Sequence, residues 1–380
     1  MLTTVRQAMR SSYRVGNPIR FQPTNVVGLL LLSLVLSFML VQSYELGHAS
    51  GETNANSKYP LTTPVEENLK VRFKIGVISD DDKNAVSKDE SNTWVSTYLT
   101  GTLEWEKSAD KITVQWDKAN EKKVKSKYSY GGRGMELSEL VTFNGNLLTF
   151  DDRTGLVYIL KDDKVYPWVV LADGDGKNSK GFKSEWATEK AGNLYVGSSG
   201  KEWTTKEGTI ENYNPMWVKM INKNGEVTSL NWQTNYEKIR SSMNITFPGY
   251  MWHEAACWSD KYNKWFFLPR ALSQEAYDSK KFETQGANVI ISCDDKFEKC
   301  EVNGLFCFQP TQIQGKTEDK RGFSNFKFVP TSEDKIIVGL KTVEADDTTE
   351  TYFTAFDLEG KVLLEETKID DHKYEGVDFV

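Results

Sequence analysis

Along most of the chain, apolar residues come in short clusters separated by polar turn formers. Val71–Ile78, Leu147–Phe150, Val157–Leu160, Leu194–Val196, Trp265–Leu268, Ile336–Leu340 and Tyr352–Phe356 are short and rich in β-branched and aromatic residues, as strands are. Between such segments stand Asn144-Gly145, Asp173-Gly174-Asp175-Gly176, Asn224-Gly225 and Glu359-Gly360, pairs that favour tight turns. Past the N-terminal region, no stretch keeps apolar residues at i, i+3, i+4 and i+7 through three turns, and the exception around Ser273–Asp278 is short. The pattern predicts an all-β domain.

The same segments repeat. MELSELVTFNGNLLTFDDR from Met135, GFKSEWATEKAGNLYVGSSGKEW from Gly181, YMWHEAACWSDKYNKWFFLPR from Tyr250 and RGFSNFKFVPTSEDKIIVGLK from Arg321 can be set over one another. Each has a Ser or Glu at one matching position (Ser138, Glu185, Glu254, Ser324), then a turn, then an apolar strand. A fifth copy, KYEGVDFV, places Glu375 at that position and stops at Val380 before its second strand. The marked residues are 47, 69, 70 and 51 positions apart, intervals that suit one four-stranded sheet each. A five-bladed β-propeller follows. Its truncated last copy has a physical reason, because a ring of sheets leaves raw edges unless the opposite terminus completes the final one. Val71–Ile78 is the strand available to do so. A two-sheet sandwich would give no reason for a polar residue recurring at one position.

One segment breaks the β pattern. Val26 to Tyr44 is a 19-residue run without charge, preceded by Arg6, Arg10, Arg14 and Arg20 and by no acidic residue or lysine. That length approaches the ~20 residues of a spanning helix, and the arginines place the first 25 residues in the cytosol. The expected organisation is a cytosolic tail (1–25), a type II signal-anchor (26–44), a polar luminal stem (45–68) and the propeller (69–380). A cleaved signal peptide is the rival, since Ala49-Ser50-Gly51 offers small residues, although a 25-residue leader is long for one.

Composition narrows the chemistry. Three histidines exclude a His-rich zinc or binuclear centre, and four cysteines without a CxxC pair exclude an all-cysteine zinc finger. Beyond residue 44 the chain carries 43 basic and 54 acidic residues, a net charge of −11. So acidic a domain is a poor partner for nucleic acid, which demands a basic stripe. It suits hard cations instead. Asn244-Ile245-Thr246 is the single glycosylation sequon. Cys293, Cys300 and Cys307 recur at seven-residue spacing; one disulfide among them is expected in an oxidising lumen, with the pair undetermined, and Cys257 reads as a small buried hydrophobe.

Equivalent positions on the innermost strands of a propeller converge on its axis, so Glu185, Glu254 and Glu375 should approach one another with Ser138 and Ser324. Three neighbouring carboxylates repel unless they are protonated or share a cation. Oxygen-only ligation selects Ca2+ or Mg2+, and Ca2+ accepts six to eight loosely arranged oxygens. The alternative is a filled channel in which these residues only bond neighbouring blades.

These residues are familiar. GRGMELSELVTFNGNLLTFDDRTG (Gly132–Gly155), GFKSEW (Gly181–Trp186), GKEWTT (Gly200–Thr205), PGYMWHEAACWSD (Pro248–Asp260), KWFFLPR (Lys264–Arg270), GFSNFKF (Gly322–Phe328) and the terminal KYEGVDFV resemble the calcium-activated nucleotidase (apyrase) family, membrane-anchored or secreted enzymes that cleave nucleoside di- and triphosphates. The likeness runs from Val71 to Val380 and departs at Cys293–Cys307, where this chain carries extra residues. It implies a five-bladed propeller with one Ca2+ in its channel, and it leaves room for a calcium-linked homodimer. Membrane-anchored members prefer UDP and GDP in the secretory pathway, whereas secreted relatives in blood-feeding animals favour ADP and ATP. The anchor favours the first, at the Golgi or endoplasmic reticulum membrane. Two rivals are a propeller that only binds other proteins, with structural calcium, and a propeller glycoside hydrolase, which would need a carboxylate cleft without so many cations.

Phosphoanhydride hydrolysis needs cations on the transferred phosphoryl group and a positioned water. Arg133 in GRG, Arg153 in DDR, Lys183 in GFK and Arg270 in LPR are the candidate phosphate ligands. Asp80, Asp82, Glu136, Asp151 and Asp152 are candidate bases. Trp203 is the candidate for stacking on a nucleobase. Asp173 and Asp175 read first as a hairpin turn.

Overall fold

The structure, a computed structural model, describes residues 59–302, 313, 318–345 and 348–380. The expected tail (1–25), the anchor (26–44) and the first part of the stem (45–58) lie outside the described residues. Among the described residues no helix is long and apolar enough to cross a membrane.

Five antiparallel sheets form the five expected blades. Blade 1 runs outward from Leu137–Phe143 through Asn146–Asp151 and Leu156–Lys161 to Lys164–Val170. Blade 2 starts with Trp186–Lys190, blade 3 with Ala256–Ser259 and blade 4 with Gly322–Phe328. Blade 5 takes its innermost strand, Tyr374–Phe379, from the end of the chain and its next strand, Lys70–Ser79, from near the start. Ile75 faces Phe379 and Val77 faces Val377 in that ladder, the closure that the truncated repeat predicts. Thr62 Oγ1 donates to the Val380 carbonyl at 2.5 Å, so the two ends of the domain meet.

Apolar packing explains the ring. Five buried clusters lie at the blade junctions, one each between blades 5 and 1, 1 and 2, 2 and 3, 3 and 4, and 4 and 5. Inner strands are therefore covered on both faces, and every residue of Leu137–Phe143 and Gly322–Phe328 is buried, which erases polar alternation. Lys164–Val170, an outer strand, keeps Tyr166 and Val170 exposed.

The α-helix Gln233–Ser241 links blades 2 and 3 and buries Tyr236, Ile239 and Arg240. At 9 residues it is shorter than the three turns that a helical period needs to show in a sequence. A second helical turn, Ser279–Phe282, follows the short exception around Ser273–Asp278. Cys293 pairs with Cys300 across adjacent outer strands of blade 3, and Cys257 is a buried free thiol. Cys307 lies outside the described residues. Asn244 of the sequon is exposed.

Candidate functional site

The first residues of the inner strands gather at one mouth of the channel. Three of the marked residues are β-bulge residues. Ser138 falls between the pairs Leu137–Asp151 and Glu139–Phe150, Ser324 between Phe323–Lys341 and Asn325–Leu340, and Glu375 between Gly376–Ile78 and Tyr374–Ser79. A bulge leaves one residue unpaired and re-aims its side chain. Glu185 and Glu254 reach the same end from just before their inner strands. All five are buried, Glu254 the most exposed at 9%.

A cavity of about 350 Å³ opens there, lined by Asp80, Asp82, Asp152, Glu185, Glu254, Glu344 and Glu375 and, interleaved with them, Arg133, Arg153, Lys183, Arg270 and Lys373. Lys183 Nζ bridges Asp152 (2.6 Å) and Glu185 (2.5 Å). Lys373 Nζ lies 3.3 Å from Glu375 and 3.5 Å from Asp80. Arg270 stands 3.8 Å from Glu254 and 3.5 Å from Glu344. Arg133 Nε donates to Glu136 at 2.6 Å, while its Nη2 contacts the other Glu136 oxygen and, at 2.9 Å, Asp82. The GRG turn suits this: Gly132 has φ +79°, and a Cβ on Gly134 would meet the Tyr128 carbonyl at 2.4 Å. Both flanks of Arg133 thus require glycine.

The carboxylates exceed what these cations neutralise. Burial first, then repulsion from Glu254 and Asp152, pushes the Glu185 carboxyl up to about 8. Glu375 is raised well above its ordinary range by burial, with Glu254, Glu344 and Glu185 adding to it. Burial likewise raises Asp80 and Glu254, and takes Glu136 to about 7 against the opposing pull of Arg133. Ser138 Oγ, Glu254 Oε2 and Asp152 Oδ1 are buried without a hydrogen-bond partner. Asp80, Glu136 and Asp152 also bring carboxylate oxygens within 4.8 Å of one another. Unpaired buried oxygens among repelling carboxylates are what a hard cation requires, so the donor set fits Ca2+.

A pH dependence follows. Burial pushes the Glu185 carboxyl from its ordinary 4.5 up to about 8, and shifts Glu136 the same way. Across that window the folded state holds protons that the unfolded chain has released, so stability falls as pH rises through it. In chelator, the melting temperature should decline from about pH 5 to about pH 8, and saturating Ca2+, which favours ionised carboxylates, should flatten the curve. Identical pH profiles with and without calcium would rule this out.

Of the residues expected from sequence, Asp80, Asp82, Arg133, Asp152, Arg153, Lys183, Glu185, Glu254, Arg270 and Glu375 line the cavity, and Glu136 joins through Arg133. Ser324 Oγ donates to the Tyr374 carbonyl at 3.3 Å. Asp151 is not among the lining residues: its oxygens accept from the backbone N–H groups of Met135 and Arg153 and hold the turn after the second strand of blade 1. Trp203 lines an adjoining cavity of about 210 Å³ that shares Lys183 and Trp252 with the first and includes Asp173. Asp175 caps a turn, accepting from Lys177 N. His253, beside Glu254, is buried and held neutral at about 3 by desolvation.

Sequence reasoning missed Lys373, Glu344, Trp252 and Tyr277. A signal existed for two of them. Two residues before each marked position stand Glu136, Lys183, Trp252, Gly322 and Lys373, and the last four line the cavity. That is the same-face period of a strand. Glu344, near the end of the long strand Ile336–Ala345, carries no such mark.

Fold and site together define a five-bladed propeller with a charged cavity at its channel mouth, in which cations alternate with carboxylates. Comparison with known proteins gives the family: the Apyrase family profile matches residues 80–380, and the chain belongs to that family. It is 97% identical over 372 residues to an apyrase from Cimex lectularius, covering 98% of this chain and all of that protein. A soluble calcium-activated nucleotidase 1 from Rattus norvegicus is 43% identical over 86% of this chain and 78% of its own length. An apyrase from Phlebotomus duboscqi is 39% identical over 80% of this chain and 88% of its own. Solved structures match only loosely, among them AztD from Citrobacter koseri at 10% identity and TM-score 0.28 over 80% of this chain and 84% of that one.

Proposed function

We propose that the chain is a calcium-dependent hydrolase that removes the terminal phosphate of nucleoside di- and triphosphates. The observation that carries this reading is the single cavity in which Arg133, Arg153, Lys183, Arg270 and Lys373 alternate with carboxylates next to the unpaired oxygens of Ser138 and Glu254. Ser138, Glu185, Glu254, Ser324 and Glu375 would hold the ion, which would supply positive charge to the phosphoryl oxygens. Arg133 and Arg153, at the rim, fork onto the phosphate chain and fix it in line with an attacking water. Glu136, held near neutrality, accepts that water's proton as its oxygen bonds to the terminal phosphorus and the anhydride oxygen leaves with the shorter nucleotide. Trp203, 44% exposed beside the adjoining cavity, offers a face to the base.

For the base itself, the arginine-flanked run Val26–Tyr44 favours a luminal membrane enzyme acting on UDP and GDP. A second reading, an enzyme for ADP and ATP, is favoured by the 97% identity to a protein named apyrase. Phosphate release from UDP, GDP, ADP and ATP, each in Ca2+ and in Mg2+, tests both. Calcium-dependent release is expected, and the ranking of the nucleotides chooses between the readings. No calcium-dependent release from any of the four would overturn the function.

A further inference from the structure

Lys373 is the most heavily committed cation at the channel mouth. Its Nζ lies 2.8 Å from Asp82, 3.1 Å from Glu344, 3.3 Å from Glu375 and 3.5 Å from Asp80, with the side chain 7% exposed. It stands two residues before Glu375, at the entry to the innermost strand of blade 5, as Lys183 stands two before Glu185 at the entry to blade 2. Yet the two differ: Lys183 touches two carboxylates, whereas Lys373 joins four that come from three separate segments.

One Glu375 oxygen cannot serve an ammonium and a divalent cation equally, because the two positive charges would then repel at close range. An incoming nucleotide brings anionic phosphate into this same cavity. A flexible four-carbon stem carrying a point charge can change partners, where a planar guanidinium is committed to its fork. We propose that Lys373 is the built-in counter-ion of the metal-free site: it competes with calcium for Glu375 and passes to the nucleotide phosphate once calcium is bound. The proposal rests on the calcium-dependent reading above and adds what sets the calcium affinity of the empty enzyme.

The test uses the full chain with Lys373→Met and Lys373→Arg, and Ca2+ alone as titrant in a calorimeter. Lys373→Met should bind Ca2+ about 10- to 100-fold more tightly than wild type, for want of the nearby charge. It should melt lower than wild type in chelator, and its KM for nucleotide should rise about 10-fold or more. Lys373→Arg, which keeps the charge, should return Ca2+ affinity towards wild type. Unchanged or weaker Ca2+ binding by Lys373→Met, or an unchanged KM, beside normal wild-type binding, overturns this proposal alone. If wild type takes up no Ca2+, the calcium reading falls and takes this one with it. Should Lys373→Met unfold in chelator, protein purified in calcium is mixed with excess chelator and ion release is followed by stopped flow. Slower release than wild type supports the proposal, and equal or faster release refutes it.

Discussion

Glu254→Ala is expected to abolish the rise in melting temperature that calcium gives the wild-type protein, and with it calcium-dependent phosphate release. A ligand that binds only the folded state adds RT ln(1 + [L]/Kd), about 2.7 kcal/mol at a hundredfold excess over Kd. For a domain of over 300 residues that is roughly 4 °C. Glu254 Oε1 accepts from the Trp252 indole at 3.1 Å, while the buried Oε2 accepts no hydrogen bond and has only the Arg270 guanidinium, 3.8 Å away. In chelator, that oxygen is a liability, and its carboxyl is raised by burial. The variant should therefore melt close to wild type in chelator and differ from it only when calcium is added. Scanning both proteins with calcium and with chelator checks this. A variant that keeps the full wild-type calcium shift would remove Glu254 from the ion's ligands.

Two arginines should separate stability from catalysis. Arg270 has a side chain 6% exposed, set between Glu254 and Glu344. Truncating it to alanine leaves the buried Glu254 carboxylate without its ion-pair partner, a change that typically costs about 3–5 kcal/mol, while Glu344 keeps Lys373. Arg270→Ala is expected to lower the urea midpoint strongly, with calcium restoring part of the loss. Arg133 has a side chain 25% exposed at the rim. Its loss removes a charge-assisted contact to phosphate, worth about 1.5–3 kcal/mol, or roughly 10- to 150-fold in kcat/KM. Calcium affinity should hardly move, and the urea midpoint should fall less than in Arg270→Ala, because the buried Glu136 still has Arg153 at 3.9 Å. Should Arg133→Ala retain full activity while Arg270→Ala keeps full stability, the division of the cavity into a phosphate rim and a charged floor would be wrong.

The ring itself was legible because it is written locally. Short β-rich segments, turn pairs and a repeating Ser/Glu position need only neighbours in sequence to be seen, and a last repeat without its second strand demands a partner from the other terminus, as the Ile75–Phe379 ladder shows. Arg153, Lys183 and Arg270 were legible for a similar reason, since each sits within a repeat, and Arg133 stands two residues before the first. What the repeats could not show is where a side chain points after the backbone slips by one residue. Asp151 and Asp152 are neighbours on one turn, yet Asp152 lines the cavity and Asp151 holds backbone N–H groups.

Repeat spacing alone marked Ser138, Ser324 and Glu375, but the bulges that leave them unpaired exist only in the ladders with Asn146–Asp151, Ile336–Ala345 and Lys70–Ser79. Glu344 reaches the site from a second strand of blade 4, and Lys373 meets Asp80 and Asp82 from the far end of the chain. The choice of Cys293 and Cys300 as a pair also awaited the register of the outer strands of blade 3. Sequence by itself determined the number of sheets, their order and the residue type offered to the axis, because those depend on local periodicity. Tertiary structure alone decided which charges share the cavity and which are left unpaired there, because those depend on strands brought side by side from distant parts of the chain.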